Sequence, residues 1–275
     1  MPADTGHGSA ALLERTLTAP TRATRPAGPA DGPRHPARST AAYALMATVT
    51  TALAILLRSG YSFGLHDQWV HSLRGMALGD SGAFANDWFA RSVAQPHWLF
   101  DVVTFVGTRL GVLPWVYLAY WLAGIAIFAL ASVWLVDRFL PGRRALSLAL
   151  GPVVAVGPTT ILGSTTPLLG FAIPHMLGGC LAFLALAGIQ TGRWRSAAIA
   201  ALATAAFHVQ QGANLAPVLL LAAILGARAP RGRRLLLAAA AGAVLVGAQL
   251  VAQWRGIQTA GEEWLTACRD IIPYH

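Results

Sequence analysis

Asp67 and Asp87 are candidate carboxylates for taking a proton from a hydroxyl. They stand in GLHDQWVHSL and in NDWFA, in a segment where charges alternate with Trp69, Trp88, Phe89, Trp98 and Phe100. A general base works best with a pKa near the working pH, and partial burial raises a carboxylate toward that range. Arg74 and Arg91, in the same segment, could hold a phosphate through paired N–H donors or pull a neighbouring carboxylate back down. His97, His175 and His208 join them as candidate substrate-binding groups, together with Gln210 and Gln211, which follow His208.

Each of these residues has a plainer reading. Asn86-Asp87 can cap a helix that opens at Trp88. The tryptophans suit a membrane interface, where an amphipathic ring sits between lipid and water. His66 and His71 are five residues apart, a poor match for one helix face, so no tight histidine spacing argues for a metal. No G-x-x-x-x-G-K-[ST], H-E-x-x-H, C-x-x-C or G-x-S-x-G run occurs, which argues against a nucleotide-driven pump, a zincin, a redox thiol site and a serine hydrolase.

The elements that must carry these groups are membrane helices. Of 275 residues, 55% are hydrophobic and only 11% charged, and the mean hydropathy is +0.55. A soluble domain carries roughly a quarter charged residues. The basic excess consists of 20 residues, all arginine. It falls in short loops between apolar runs, which points to membrane topology and not to nucleic acid. Cys180 and Cys268 form no obvious disulfide pair.

The pattern is that of an all-α, polytopic transmembrane bundle of about seven spans with a long amphipathic first loop. Residues 1–40, rich in Pro, Ala, Thr and Arg, read as a disordered cytoplasmic tail. Residues 41–57 read as the first transmembrane helix, an uncleaved anchor. Residues 58–113 form an extracytoplasmic loop with surface helices. Within it, Trp98, Val102, Phe105 and Val106 recur at helical spacing, which predicts a helix over 97–110 lying along the membrane surface. The bundle occupies 114–253, with runs at 114–136, 145–162, 168–189, 197–225 and 235–253. The 197–225 run divides at 208–214 into two short helices. Residues 254–275 follow as an extracytoplasmic segment.

Arginine counts orient the chain. A cytoplasmic N-terminus in the plasma (inner) membrane puts 14 arginines inside and 6 outside, and the short loops DRFLPGRR, GRWR and ARAPRGRR decide the bias. The same topology puts 7 of the 11 acidic residues outside, including Asp67, Asp80, Asp87 and Asp101, and places most histidines there or at the outer boundary.

A first span, then an acidic residue, then a long outer loop with surface helices resembles the GT-C class of membrane glycosyltransferases. The stretch GLHDQWVHSL…NDWFA…PHWLFDVV also resembles a group of bacterial multi-spanning proteins related to that class. The resemblance runs over about residues 41–275. It implies transfer of a sugar from a polyprenyl-phosphate donor at the extracytoplasmic face, with Asp67 and Asp87 at the class's two acidic positions. Such a carboxylate acts on the acceptor as base or helps hold a divalent metal ion. Residues 67–68 read Asp-Gln where several of those families carry two acidic residues, which leaves the metal open. The class's usual size implies further spans or a soluble domain beyond residue 275. The lipid bilayer and a polyprenyl-phosphate-linked sugar are then the partners, with no role for nucleic acid. A membrane transporter and a non-catalytic assembly partner are the alternatives. The long amphipathic loop and the lack of a repeat between 41–136 and 145–253 favour the enzyme.

Overall fold

The computed structural model describes residues 37–64, 67–82, 84–87, 90, 97–156, 169–225, 230–258 and 266. The expected tail up to residue 36, His66, Arg91, the expected helix start at Trp88 and most of 254–275 lie outside the described residues. Among those described, the chain is helical with no strand. In order the helices are α1 (Ala37–Ser59), α2 (Asp67–Gly79), α3 (Trp98–Arg109), α4 (Leu113–Phe139), α5 (Ser147–Val156), α6 (Pro174–Gln190), α7 (Trp194–Phe207), α8 (Val209–Leu225) and α9 (Pro230–Gln258). A single 3-10 turn, Arg144–Leu146, leads into α5.

Among the described residues, three stretches are long and apolar enough to cross a membrane: Ser39–Ser59, Leu113–Phe139 and Gly232–Arg255. A core of ~30 Å takes about 20 helical residues. The apolar helices α5, α6, α7 and α8 have 10, 17, 14 and 17 residues and fall short of that. α4 is the central element. Its buried face carries Tyr117, Tyr120, Trp121, Ile125 and Phe128, which pack with Phe100 of α3 and with Met176, Leu177 and Cys180 of α6. A second core, between α6, α7, α8 and α9, is made of small residues, with Ala185, Ala197, Ala200, Ala201 and Ala223 meeting Leu215, Leu219 and Leu235.

Contacts along the helices set their directions. Gly124 of α4 faces Met176 of α6, Phe128 stacks on Phe183 at 5.1 Å, and Trp134 clusters with Ala187. The two helices therefore run parallel. α7 returns antiparallel to α6 after a tight turn, with Ala197 against Gly188. α8 then runs back along α7, with Ala205 against Gly212.

α3 forms at Trp98–Arg109, where helical spacing predicts a helix, and it packs against α4. Gly107 meets Leu113, Thr104 bonds Tyr117, and Phe100 packs on both Tyr117 and Tyr120. These contacts lay α3 antiparallel along the first turns of α4. The turn between them closes on Gly111, whose φ of 68° is open to glycine at little cost. α2 runs parallel to α3: Gly75 sits against Thr104 and the Asp101 carbonyl, and Gly79 against Thr108 and the Phe105 carbonyl. At Gly75 an added Cβ would lie 2.5 Å from Thr104 Cβ, so only glycine permits this approach.

At the opposite end of α4, Arg144 fastens the bundle. Its Nε donates to Asp137 at 2.7 Å, its Nη1 donates to Ser39, and its guanidinium lies over the Tyr43 ring. Hydrogen bonding to Asp137 raises the Arg144 pKa further, so the cation is permanent. Arg193 lies over the Trp134 ring at 4.5 Å, which brings the α6–α7 turn to the same end.

Candidate functional site

Four histidines from different parts of the chain meet at the other end of the short helices. His97 precedes α3, His175 is the second residue of α6, His208 separates α7 from α8, and His71 lies one turn into α2. The His97 ring stacks on His208 at 4.7 Å and meets His71 edge-on at 5.1 Å. His175 meets His208 edge-on at 6.3 Å. The starts of α3, α6 and α8 thus converge on one cluster of imidazoles, and each start carries a partial positive charge.

Local sequence explains each placement. Pro174 opens α6, where its missing N–H costs nothing. His208 is the lone extended residue between two helices, at φ −148° and ψ 106°. The expected 208–214 break is therefore one residue long. Gln210 and Gln211 fall inside α8, and the His208 Nδ1 accepts the Gln211 backbone N–H at 3.3 Å as a cap. Gln211 Nε2 donates to the His175 carbonyl at 3.0 Å and ties α8 to α6. Gly178 makes this possible, since a Cβ there would lie 2.4 Å from Gln211 Oε1. Gln210, on the other face, is exposed.

His97 is only 7% exposed. One ring N–H bonds the Phe207 backbone, while Nδ1 is buried with no hydrogen-bond partner. Burial, then the charges of His208, His71 and His175, push its pKa down to about 3, so the ring is neutral. One turn further along α3, Asp101 is 5% exposed. Its Oδ2 faces Arg74 Nε at 3.9 Å, and its Oδ1 is buried without a hydrogen-bond partner. Burial pushes this carboxyl up to about 7 against the pull of Arg74. Beside it, the Tyr117 hydroxyl is held by Ser72 and Thr104, each at 2.6 Å. Gln68 bridges to the start of the next wall by donating to the Ala172 carbonyl at 3.0 Å.

The expected candidates therefore divide. His97, His175, His208 and Gln211 come together, and Arg74 joins them through α2. Gln210 does not. Asp87 Oδ1 accepts the Ala90 N–H at 2.9 Å, the contact of a helix-capping aspartate. Asp67 opens α2, one turn before His71. Arg91 lies outside the described residues. Sequence reasoning passed over His71 and Asp101 as site groups. The signal for both was present: Asp101 is four residues after His97 and His71 four after Asp67, one helical turn in each case.

This arrangement does not fit a divalent metal. The imidazoles stack and meet edge-on, and among the described residues no group of three His, Cys, Asp or Glu is arranged to hold an ion. Compared with protein-family models, curated proteins and solved structures, the chain matches none.

Proposed function

We propose that this chain is a multi-spanning plasma-membrane protein that transfers a sugar from a polyprenyl-phosphate donor, working at the end of the bundle where α2 and α3 lie. Its seven spans are α1, α4, α5, α6, α7, α8 and α9, with the N-terminus cytoplasmic. The observation that carries this reading is Asp101. It is a buried carboxyl held near pH 7, one turn from a cluster of imidazoles, in a bundle otherwise poor in acid–base groups. Ionisable groups at membrane depth are functional candidates by default.

In this mechanism Asp101 accepts the proton of an acceptor hydroxyl. The acceptor oxygen bonds the anomeric carbon of the sugar as the bond from that carbon to the phosphate oxygen breaks. The phosphate leaves with its negative charge, near Arg74 and the positive starts of α3, α6 and α8. Asp67 stays a second candidate base because it opens the helix that carries His71. Asp87 becomes a loop cap.

The test is transfer from radiolabelled polyprenyl-phosphate hexoses and pentoses by the purified full chain in liposomes. Asp101→Asn keeps the size and removes the base, so turnover falls about 10²-fold or more. Unchanged product from Asp101→Asn combined with Asp67→Asn rejects the reading, and so does wild-type protein that transfers none of the sugars.

A transporter for an anionic solute is the second reading. It is favoured by one observation: α7 and α8 are short and double back at His208, as the re-entrant helix pairs that line a substrate path do. Solute flux across proteoliposomes without covalent product would select it.

A further inference from the structure

The four histidines lie where a single proton would have a large mechanical effect. Each comes from a different segment, so their mutual distances report how α2, α3, α6 and the α7–α8 turn are seated. The His97 ring is the wedge. It stacks on His208, touches His71 and bonds the Phe207 backbone, and it is almost fully buried. We propose that His71, His97, His175 and His208 form one shared proton-binding site that unseats α3 from the α7–α8 turn when it is occupied.

The physical argument starts from charge. An imidazolium at His97 or His208 would stand about one ring's width from other imidazole rings, where the starts of α3, α6 and α8 oppose a cation and the end of α7, through the Phe207 backbone, favours one. Among the described side chains, other facing groups offer little relief. From α2 comes Arg74, already positive; Asp67, at the start of the same helix, is its one acidic residue and lies one turn before His71. From α3 comes Asp101, engaged with Arg74. From α4 come the hydroxyls of Tyr117 and Tyr120, one held by Ser72 and Thr104 and the other aimed at the Ile173 carbonyl. α6 supplies only His175, and the α7–α8 turn only His208. The depressed value of His97 agrees with this setting. Taking up the proton therefore requires water to reach the ring, and movement of α3, which follows the ring directly in the chain, together with α2 would admit it.

The site is reached from one side. Between the cluster and the Asp137–Arg144 clamp, the described parts of α4, α6, α7 and α8 carry no acid or base except the buried Cys180. A proton thus enters and leaves at the end where α2 and α3 lie, and the device senses the acidity of that compartment. This holds whether the chain transfers sugars or moves solutes.

Pulsed electron paramagnetic resonance on the purified full chain tests it. Spin labels at Val102→Cys on α3 and Gln210→Cys on α8, both exposed positions, report the seating, with Cys268→Ser removing the other reactive thiol. Between about pH 8 and about pH 4, a range that extends well below the ordinary histidine value, a second and longer distance should grow in reversibly. The double variant His97→Gln, His208→Gln, which bonds but does not titrate, should abolish that second distance. Where that variant fails to fold, His71→Gln with His175→Gln should shift the onset by about one pH unit. A single distance at every pH overturns the proposal, as does the same acid response in a folded variant of either pair.

Discussion

His97 and Asp101 sit one turn apart with pKa values pushed in opposite directions relative to their unfolded values, so their effects on stability carry opposite signs. His97 falls from its ordinary 6.5 to about 3. Between those values the unfolded chain binds its proton and the folded chain does not, so this stabilisation is present above pH 6.5 and is lost as pH falls. Asp101 rises from 3.8 to about 7. In that window the folded chain holds the proton, so this stabilisation is present below 3.8 and is lost as pH rises. Each contributes roughly 1.4 kcal/mol per pH unit, with opposite slope. Asp101→Asn should therefore make unfolding more sensitive to acid than in wild type between about pH 4 and pH 6.5, and His97→Gln should make it less so. Denaturation of the purified protein in detergent at several pH values measures both. Parallel pH curves for all three proteins would contradict the burial assigned to these groups. Sequence pattern singled out His97, and the helical spacing that links Asp101 to it went unused. A carboxylate on an amphipathic helix ordinarily faces water, and only the neighbouring α2 closes over this one.

At the scale of elements, the pairing of α2 with α3 decides the site, because it brings His71 to His97 and Arg74 to Asp101. The pairing rests on Gly75 and Gly79, a small-xxx-small spacing that lets two helix backbones approach. Gly75→Val would drive a side chain into Thr104 and the Asp101 carbonyl, 2.5 Å and 2.6 Å from where its Cβ must go. Overpacking of this kind costs about 2 kcal/mol, a drop in melting temperature of about 5 °C for a chain this size. It should also release Asp101 from Arg74. Gly247→Ala is the control. Nothing lies within 4 Å of its Cβ in α9, so it should be neutral or stabilising by about 0.5 kcal/mol through helix propensity. Thermal denaturation that ranks the two variants the other way would contradict this packing. Helices α1 and α4 to α9 were legible in the sequence, since an apolar run longer than a strand has few other forms, and α3 was legible in its helical spacing. The partner of α2 was not, because helical periodicity marks a buried face without saying what covers it. The break at His208 was foreseen but drawn too wide, since Gln210 and Gln211 look like a polar loop until the cap from His208 places both in α8.

Among the described residues, most arginines gather at the end of the bundle opposite the histidines. Arg144 is bound to Asp137 and Ser39 at the C-terminal end of α4, Arg193 lies on Trp134 near that same end, and Leu235, one residue after Arg234, packs with Ala197 and Ala185 there. The histidines gather beside the first turns of α4. The Tyr120 ring touches Phe207 at 5.9 Å, and Tyr120 lies seven residues into α4, so α4 rises about 10 Å beyond the α7–α8 turn at 1.5 Å per residue. α2 and α3 fill the space above the shorter helices. Their outward residues Trp69, Val70, Trp98, Val102, Phe105 and Val106 are exposed and apolar, a face suited to lipid. Short loops rich in arginine stay cytoplasmic because moving them across the bilayer is costly, so the arginine end is expected inside and the histidine end outside. Labelling intact cells with a membrane-impermeant maleimide tests this, after Cys268→Ser and with Cys180 buried. Ser81→Cys, exposed on the turn after α2, should be modified. Arg143→Cys, exposed between α4 and α5, should react only once the cells are permeabilised. The reverse pattern would turn the histidine cluster toward the cytoplasm. A polyprenyl-phosphate donor presented at the outer face could not then reach Asp101, and the proton site would report cytoplasmic acidity.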